Sequence, residues 1–147
     1  MNLDICKEVM YNEGLTCVVA DEDEIIFKSD KKGILPMLEV LDLYNEGKIN
    51  PVYQADRIIG KAAIIIAHKC NIKNIYGTVI SRSAYDFAKR KDINLECSEL
   101  VEVIMDKAKV KEGPFEAALH EVDEDDFDLV LKIVNETLDK MKRNRSH

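Results

Sequence analysis

The sequence predicts an α/β fold, a three-layer α/β/α sandwich in which a mixed sheet with an N-terminal hairpin lies between helices. In the second half of the chain, segments rich in β-branched residues alternate with helical segments, which favours a partly parallel sheet covered on both faces. The chain has 147 residues, 46% of them hydrophobic, which suffices for one core. No linker or repeat divides it. We therefore assign 1–147 to a single domain, with a core over about 3–120 and a C-terminal helical extension over about 124–143.

The first half of the chain contains the hairpin between two helices. We predict, in chain order, a helix over 3–10, strands over 15–20 and 25–27, and a helix over 33–47. Gly14 and Gly47 are placed to end the two helices, and Pro36 suits the first turn of the second, where its missing N–H costs nothing. The four acids at 21–24 could form a cation site or a solvated hairpin tip, and we interpret them as the tip.

The segment 54–68 is apolar on most of its faces, so we predict a single helix that is buried on more than one side. In such a helix Arg57, Lys61 and His68 lie four and seven residues apart and share one stripe. His68 has no His or Cys partner at ligand spacing, and we interpret it as a surface or core histidine.

The second half of the chain alternates between strands and helices. The elements that we expect are a central strand over 75–80, a helix from Ser81 to Lys91, a short strand over 93–97, a helix that restarts at Pro114 and a C-terminal amphipathic helix from Phe127. Residues 98–105 fit no single element, and we expect a charged loop over 106–113. Basic residues in the last turns of the final helix suit its dipole.

Charge and composition argue against several classes of protein. The net charge is -7, from 28 acidic and 21 basic residues, which disfavours nucleic-acid and membrane-surface partners because phosphates require clustered Lys and Arg. The N-terminal residues lack the basic start and apolar run of a signal peptide, so we expect a cytoplasmic protein. The cysteines, Cys6, Cys17, Cys70 and Cys97, form no CxxC pair, and we expect buried thiols rather than disulfides or a zinc site.

Familiar phosphate and metal motifs are absent or broken. Gly60-Lys61 has the dipeptide of a P-loop, but Ala55 and Ala62 stand where the loop requires Gly and Ser or Thr. The acid cluster 121–128 lacks the glycine that an EF-hand loop requires at its sixth position, and no glutamate follows at the twelfth. The sequence therefore predicts no cofactor and no metal ion.

The order strand, strand, helix, strand, helix is similar to that of cytidine deaminases. Those enzymes hold zinc through His-x-Glu at one helix start and Pro-Cys-x-x-Cys at the next. The corresponding places here are 54–56 and 81–84, where an amide, a hydroxyl and a methyl replace the three zinc ligands. We therefore do not expect a zinc-dependent deaminase, even on a shared architecture.

Three motifs carry a more specific resemblance. They are Asp56-Arg57-Ile58-Ile59-Gly60-Lys61-Ala62-Ala63, Tyr76-x-x-Val79-Ile80-Ser81 and Pro114-Phe115-Glu116. Over about residues 3–120 the chain resembles an uncharacterised prokaryotic family, a domain of unknown function with a cytidine-deaminase-like fold and no zinc motif. Gly113 and Phe115 replace a Cys and a Met of the family's last motif. The resemblance implies a fold and brings no established activity.

Four polar residues of these motifs are candidate ligand-binding residues: Asp56, Lys61, Ser81 and Glu116. Ligands of parallel α/β sheets bind beyond the carboxyl ends of strands, near helix N-termini. We expect Ser81 there, and Asp56 and Glu116 each at the start of a helix. Lys61 would bind an anionic group, and either acid a hydroxyl or an amine. The structural alternatives are an N-cap for Ser81, dipole partners for both acids, and a solvated stripe or a pair with Asp56 for Lys61.

Three functions are compatible with these residues. The first is a metal-free binding or regulatory domain for a small polar or nucleotide-like ligand, where the nucleotide rests on fold analogy. The second is a metal-independent enzyme that uses Lys61 with Asp56 or Glu116 as acid–base groups. The third is a protein-interaction module whose C-terminal helix docks on a partner or on a second copy, giving a homo-oligomer.

Overall fold

A computed structural model describes residues 1–105 and 112–145 of the chain. The strands are β1 (Cys17–Ala20), β2 (Ile25–Ser29), β3 (Tyr53–Ile59), β4 (Asn74–Ser81) and β5 (Asn94–Val101). The helices are α1 (Leu3–Asn12), α2 (Leu35–Asn45), α3 (Lys61–Lys69), α4 (Arg82–Arg90), α5 (Pro114–Ala118) and α6 (Phe127–Arg145). The strands form one sheet with helices on both faces, which confirms the predicted fold class.

The sheet is mixed, with strand order β2-β1-β3-β4-β5. Strand β1 runs antiparallel to both β2 and β3, and β3, β4 and β5 run parallel to one another. The hairpin of β1 and β2 is the predicted one, and Asp21 closes its tip by accepting the backbone N–H groups of Asp23 and Glu24. Because the parallel strands end at one edge of the sheet, the helices α3 and α4 both begin at that edge.

Two hydrophobic cores lie on opposite faces of the sheet. Helix α1 packs on one face against residues such as Val18, Ala55 and Tyr76. Helices α2, α3, α4 and α6 form the larger core on the other face. In that core Val130 and Val134 of α6 are fully buried, so the apolar side of the C-terminal helix packs on the rest of the chain.

The prediction of a single helix over 54–68 is wrong. Residues 53–59 form β3, Gly60 separates the two elements, and the helix begins at Lys61. A strand buried on both faces is continuously apolar, and periodicity alone does not distinguish it from a buried helix. The predicted polar stripe fails for the same reason, because Arg57 lies on the strand and donates its Nε hydrogen to the Leu15 carbonyl oxygen on the α1 face.

The remaining elements follow the sequence prediction closely. Strand β5 continues to Val101 and accounts for part of the ambiguous 98–105 segment, whereas most of the expected charged loop, 106–111, lies outside the described residues. All four cysteines are free, and Cys97 is exposed while the other three are buried. None of the helices in the described ranges has the length and apolar character that a membrane span requires.

Candidate functional site

The carboxyl edge of the parallel strands carries the N-termini of α3 and α4. Gly60 adopts an extended conformation at the N-cap of α3 and offers no side chain to cap it. Ser81 ends β4 and caps α4, where its Oγ accepts the N–H of Ala84 at 3.2 Å. The N-cap alternative for Ser81 is therefore confirmed, whereas the first turn of α3 has no side-chain cap from its own N-cap residue.

Glu116 of α5 supplies a hydrogen-bond acceptor there and joins the two helix starts. Its Oε1 accepts the backbone N–H of Lys61 at 3.2 Å, and its Oε2 accepts the hydroxyl of Ser83 at 3.3 Å. Ser83 in turn lies 3.2 Å from the Ser81 hydroxyl. The carboxylate is buried, and the positive ends of two helix dipoles favour its negative charge at this place.

Gly60 permits this approach because it has no Cβ. A methyl group at Gly60 would lie 2.5 Å from Glu116 Oε1 and 3.5 Å from Ile104 Cγ1. The Gly-Lys of the first motif and the Pro-x-Glu of the last motif, about fifty residues apart in the sequence, thus meet at one contact.

Lys61 directs its side chain toward the connection between α5 and α6. Its Nζ donates to the Leu119 carbonyl oxygen at 2.7 Å and lies 4.0 Å from a carboxylate oxygen of Glu124. The side chain is 11% exposed, so it belongs to no solvated stripe, and it does not pair with Asp56. Carbonyl and carboxylate oxygens stabilise the protonated ammonium group, which suits an anchoring role.

Asp56 lies within β3, so the expectation that it opens a helix is wrong. It is 7% exposed and faces Cys17 and Gly77 on the neighbouring strands. Burial raises the pKa of its carboxyl group from 3.8 to about 7, against hydrogen bonds from the backbone and from Gln54 that lower it. The Ile58 N–H, at 3.4 Å, is one of these donors. Asp56 is therefore separate from the other three candidate residues.

A polar cleft of about 260 Å³ opens at the carboxyl edge. It is lined by Lys61, Arg82, Ser83, Asp86, Glu102, Val103, Glu112, Glu116 and His120. The lining thus contains four carboxylate side chains and two basic side chains, those of Lys61 and Arg82. Two interactions fix parts of the rim: Arg82 Nε lies 3.7 Å from Glu102, and His120 Nε2 lies 2.6 Å from Glu112.

The sequence alone predicted two residues that line the cleft, Lys61 and Glu116. It also predicted Ser81, which contacts the cleft through Ser83. It missed most of the rim. Asp86 could have been found, since it lies one turn after Ser83 at the start of α4. The segments that carry Glu102, Glu112 and His120 have no recognisable local sequence pattern. Among the described residues, no group of three or more His, Cys, Asp or Glu side chains is placed to hold a metal ion.

These features define the class of the protein as a three-layer α/β domain with a polar cleft at the carboxyl edge of its parallel strands. The profile described as "TM1506: Domain of unknown function (DUF1893)" matches residues 5–138, and the chain belongs to this family. The match includes much of α6 and so extends beyond the resemblance over 3–120.

The fold is similar to that of a solved structure. This is the crystal structure of a DUF1893 family protein, TM1506, from Thermotoga maritima, with a TM-score of 0.77 and 20% sequence identity over 94% of this chain and 88% of that chain. At this identity the likeness concerns the fold alone. No curated protein matches the chain. The family is thus the uncharacterised one that the motifs indicated, and the likeness to cytidine deaminases stays a prediction.

Proposed function

We propose that this DUF1893 chain is a metal-free domain that binds a small polar ligand in the cleft between α3, α4 and α5. The supporting observation is Glu116, a buried carboxylate that the first turns of two helices hold at the cleft. Its two partners, the Lys61 N–H and the Ser83 hydroxyl, keep the charge in a defined place. A fixed, desolvated charge with polar side chains around it is the arrangement that orients a small ligand.

The charge of the cleft favours a ligand with an amine or hydroxyl groups over a phosphate. Asp86, Glu102, Glu112 and Glu116 outnumber Lys61 and Arg82 among the lining residues, and the ammonium group of Lys61 already has its own acceptors. The anion-binding role that we expected for Lys61 is therefore not part of the proposal. A nucleoside or an amine fits the cleft better than a nucleotide does.

A site without metal stays a prediction from the sequence, where the His and Cys ligands of the zinc deaminases are replaced. The cleft does contain carboxylates and His120, but among the described residues no three of these side chains are placed to hold one metal ion. The enzyme alternative has less support, because Asp56 lies apart from the cleft and Lys61 is held by oxygen acceptors. A general base needs a free lone pair within reach of its substrate.

The interaction-module alternative also has less support than ligand binding. The helix α6 that would dock on a partner already buries Val130 and Val134 in the main core. A cytoplasmic location, homo-oligomer formation and the absence of nucleic-acid and membrane partners stay predictions from the sequence.

A thermal-shift screen tests the proposal. The ligands are primary amines and diamines, nucleosides, amino acids, nucleotides, sugar phosphates and divalent metal ions. A ligand at about one hundred times its dissociation constant stabilises the folded state by about 2.7 kcal/mol, which raises Tm by several degrees. We expect a shift with amines or nucleosides and less with their phosphates. A shift with zinc alone, or with phosphates alone, would contradict the proposal.

A further inference from the structure

Four hydroxyl groups form a connected cluster on the α1 face of the sheet, away from the cleft. Tyr11 OH lies 2.8 Å from Tyr76 OH and 2.5 Å from Thr78 Oγ1, and Tyr76 OH lies 2.5 Å from Ser98 Oγ. These residues belong to α1, β4 and β5. The hydroxyls therefore form a chain in the order Thr78, Tyr11, Tyr76, Ser98, and we call it the hydroxyl chain.

The hydroxyl chain has one more proton than its own hydrogen bonds use. Four hydroxyl groups carry four protons, and the three bonds between them use three. The fourth proton belongs to one of the four hydroxyls, and it lies at an end of the chain, on Thr78 or on Ser98, when all three bonds run in the same direction. Ser98 is exposed and Thr78 is half-buried, so the Ser98 end opens more freely to a ligand. An acceptor at Ser98 would align all four hydroxyl dipoles toward itself, and such aligned chains strengthen cooperatively.

Two cations flank the hydroxyl chain. Lys7 Nζ lies 4.3 Å from the centre of the Tyr76 ring, and Arg57 Cζ lies 4.7 Å from that of Tyr11. Burial acts to raise the pKa of Tyr76, but its hydrogen bonding within the hydroxyl chain and the charge of Lys7 together lower it below its ordinary value. The surroundings of this phenol thus favour negative charge.

Lys7 can turn from its present partner to a ligand. Its Nζ is 4.0 Å from Glu96, and both side chains are solvent-accessible, 31% and 50% exposed. Ion pairs of this kind are weak because water and salt screen them. Glu96 lies two residues before Ser98 on β5, so Lys7 approaches the strand near the open end of the hydroxyl chain.

We propose that Ser98, Lys7 and the hydroxyl chain form a second site, which binds an oxyanion such as a phosphate group. The anion accepts the outward proton of Ser98 and a hydrogen bond from the ammonium group of Lys7. Tyr76, Tyr11 and Thr78 act as positioning residues that orient the Ser98 hydroxyl. The phosphate belongs either to free inorganic phosphate or to a phosphorylated small molecule.

Nuclear magnetic resonance titration of the full chain tests this site. Inorganic phosphate and ribose 5-phosphate are titrated separately, with ionic strength held constant by sodium chloride. We expect saturable shifts of the backbone amides of Glu96 and Ser98 with both probes. Tighter binding of ribose 5-phosphate, with added shifts beyond these residues, identifies a phosphorylated small molecule as the source, and equal binding identifies free phosphate.

Matched variants separate this site from general charge effects. Lys7→Gln should raise the dissociation constant about tenfold, and Ser98→Ala several-fold, since each removes one charge-assisted contact. Tyr76→Phe should weaken binding because it interrupts the hydroxyl chain. Lys132→Gln, which removes an exposed charge on α6, should leave binding unchanged.

Three results would overturn the proposal. One is the absence of saturable shifts in the wild-type protein at tens of millimolar phosphate, a range that reaches very weak sites. The second is equal binding by Lys7→Gln and Lys132→Gln. The third is unchanged binding in Ser98→Ala. Because Ser98 and Lys7 are on the surface, both variants should keep the wild-type Tm, and the titration therefore remains interpretable.

Discussion

The substitution Gly60→Ala tests the contact on which the cleft depends. The added Cβ would lie 2.5 Å from Glu116 Oε1, well inside van der Waals contact. Gly60 has a φ of -101° and a ψ of -174°, which alanine also adopts, so backbone strain contributes little. The carboxylate must therefore move and lose its bonds to the Lys61 N–H and the Ser83 hydroxyl. Hydrogen bonds to a charged group contribute about 1.5–3 kcal/mol each, so the loss of both bonds should cost about 3–6 kcal/mol.

A double-mutant cycle in urea isolates this effect. Free energies of unfolding are measured for the wild type, Gly60→Ala, Glu116→Ala and the double variant. In the Glu116→Ala background the clash is absent, and Gly60→Ala should cost no more than about 1 kcal/mol, the usual difference between Gly and Ala at an N-cap. If Gly60→Ala costs the same in both backgrounds within about 0.5 kcal/mol, the reasoning is refuted, because the two residues then act independently.

Substitutions at three further positions test the rest of these conclusions. Burial raises the pKa of Asp56 from 3.8 to about 7 in the folded protein. Between these two pH values the folded state therefore holds a proton that the unfolded state has lost. The free energy of unfolding should fall as the pH rises from about 4 to 7, by roughly 4 kcal/mol at most. Asp56→Asn should flatten this slope in urea melts across that range, and a slope equal to the wild type would argue against a buried, proton-holding carboxyl. Ser81→Ala should lower the free energy of unfolding by about 1 kcal/mol and Ser81→Gly by only a few tenths, as for other N-caps; equal losses would show that the cap bond contributes nothing. Val134→Ala should cost about 2 kcal/mol, since it removes two buried methyl groups and leaves a cavity, with one cooperative transition by circular dichroism; a loss under about 0.5 kcal/mol would mean that α6 is not part of the core.

Elements with local signals could be predicted from the sequence. The acids at 21–24 indicate the hairpin, Gly47 ends the second helix with a φ of +72°, and Ser81 marks the start of α4. In each case one or two neighbouring residues determine the backbone conformation, because turns and caps are local structures.

The boundary between β3 and α3 could not be predicted in the same way. Ten of the fourteen residues from Gln54 to Ala67 are buried, first between two layers of helices and then within the core, although Ile58 is exposed. A hydrophobic pattern reports which faces are buried, and here nearly every face is. Gly60 was the available signal, because glycine is unfavourable in a helix interior and is accepted at an N-cap.

The candidate site was partly predictable. The motifs indicated Lys61, Ser81 and Glu116, and Ser81 and Glu116 were expected at helix starts. Lys61 was expected one turn inside a longer helix, and it begins α3 instead. The role of Glu116 as the acceptor for α3 depends on a contact between residues 55 positions apart. The hydroxyl chain depends similarly on Tyr11 and Thr78, which are 67 positions apart. Contacts of that range are set by the tertiary fold and leave no periodic trace in the sequence.

The measurement that tests the central claim most directly is a calorimetric titration of the cleft's ligand against two charge variants. The ligand is the amine or nucleoside that gives the largest thermal shift. Asp86→Asn with Glu102→Gln neutralises two exposed residues of the cleft, and Glu136→Gln with Asp139→Asn makes the same charge change on exposed positions of α6.

We predict saturable heat with one site per chain in the wild type and in the α6 variant. In the cleft variant an amine should bind about thirtyfold more weakly, because each of the two removed charges contributes about 1 kcal/mol at a solvated site. Equal affinity in all three proteins, or no saturable heat in the wild type, would contradict the claim that this cleft binds a ligand through its carboxylates.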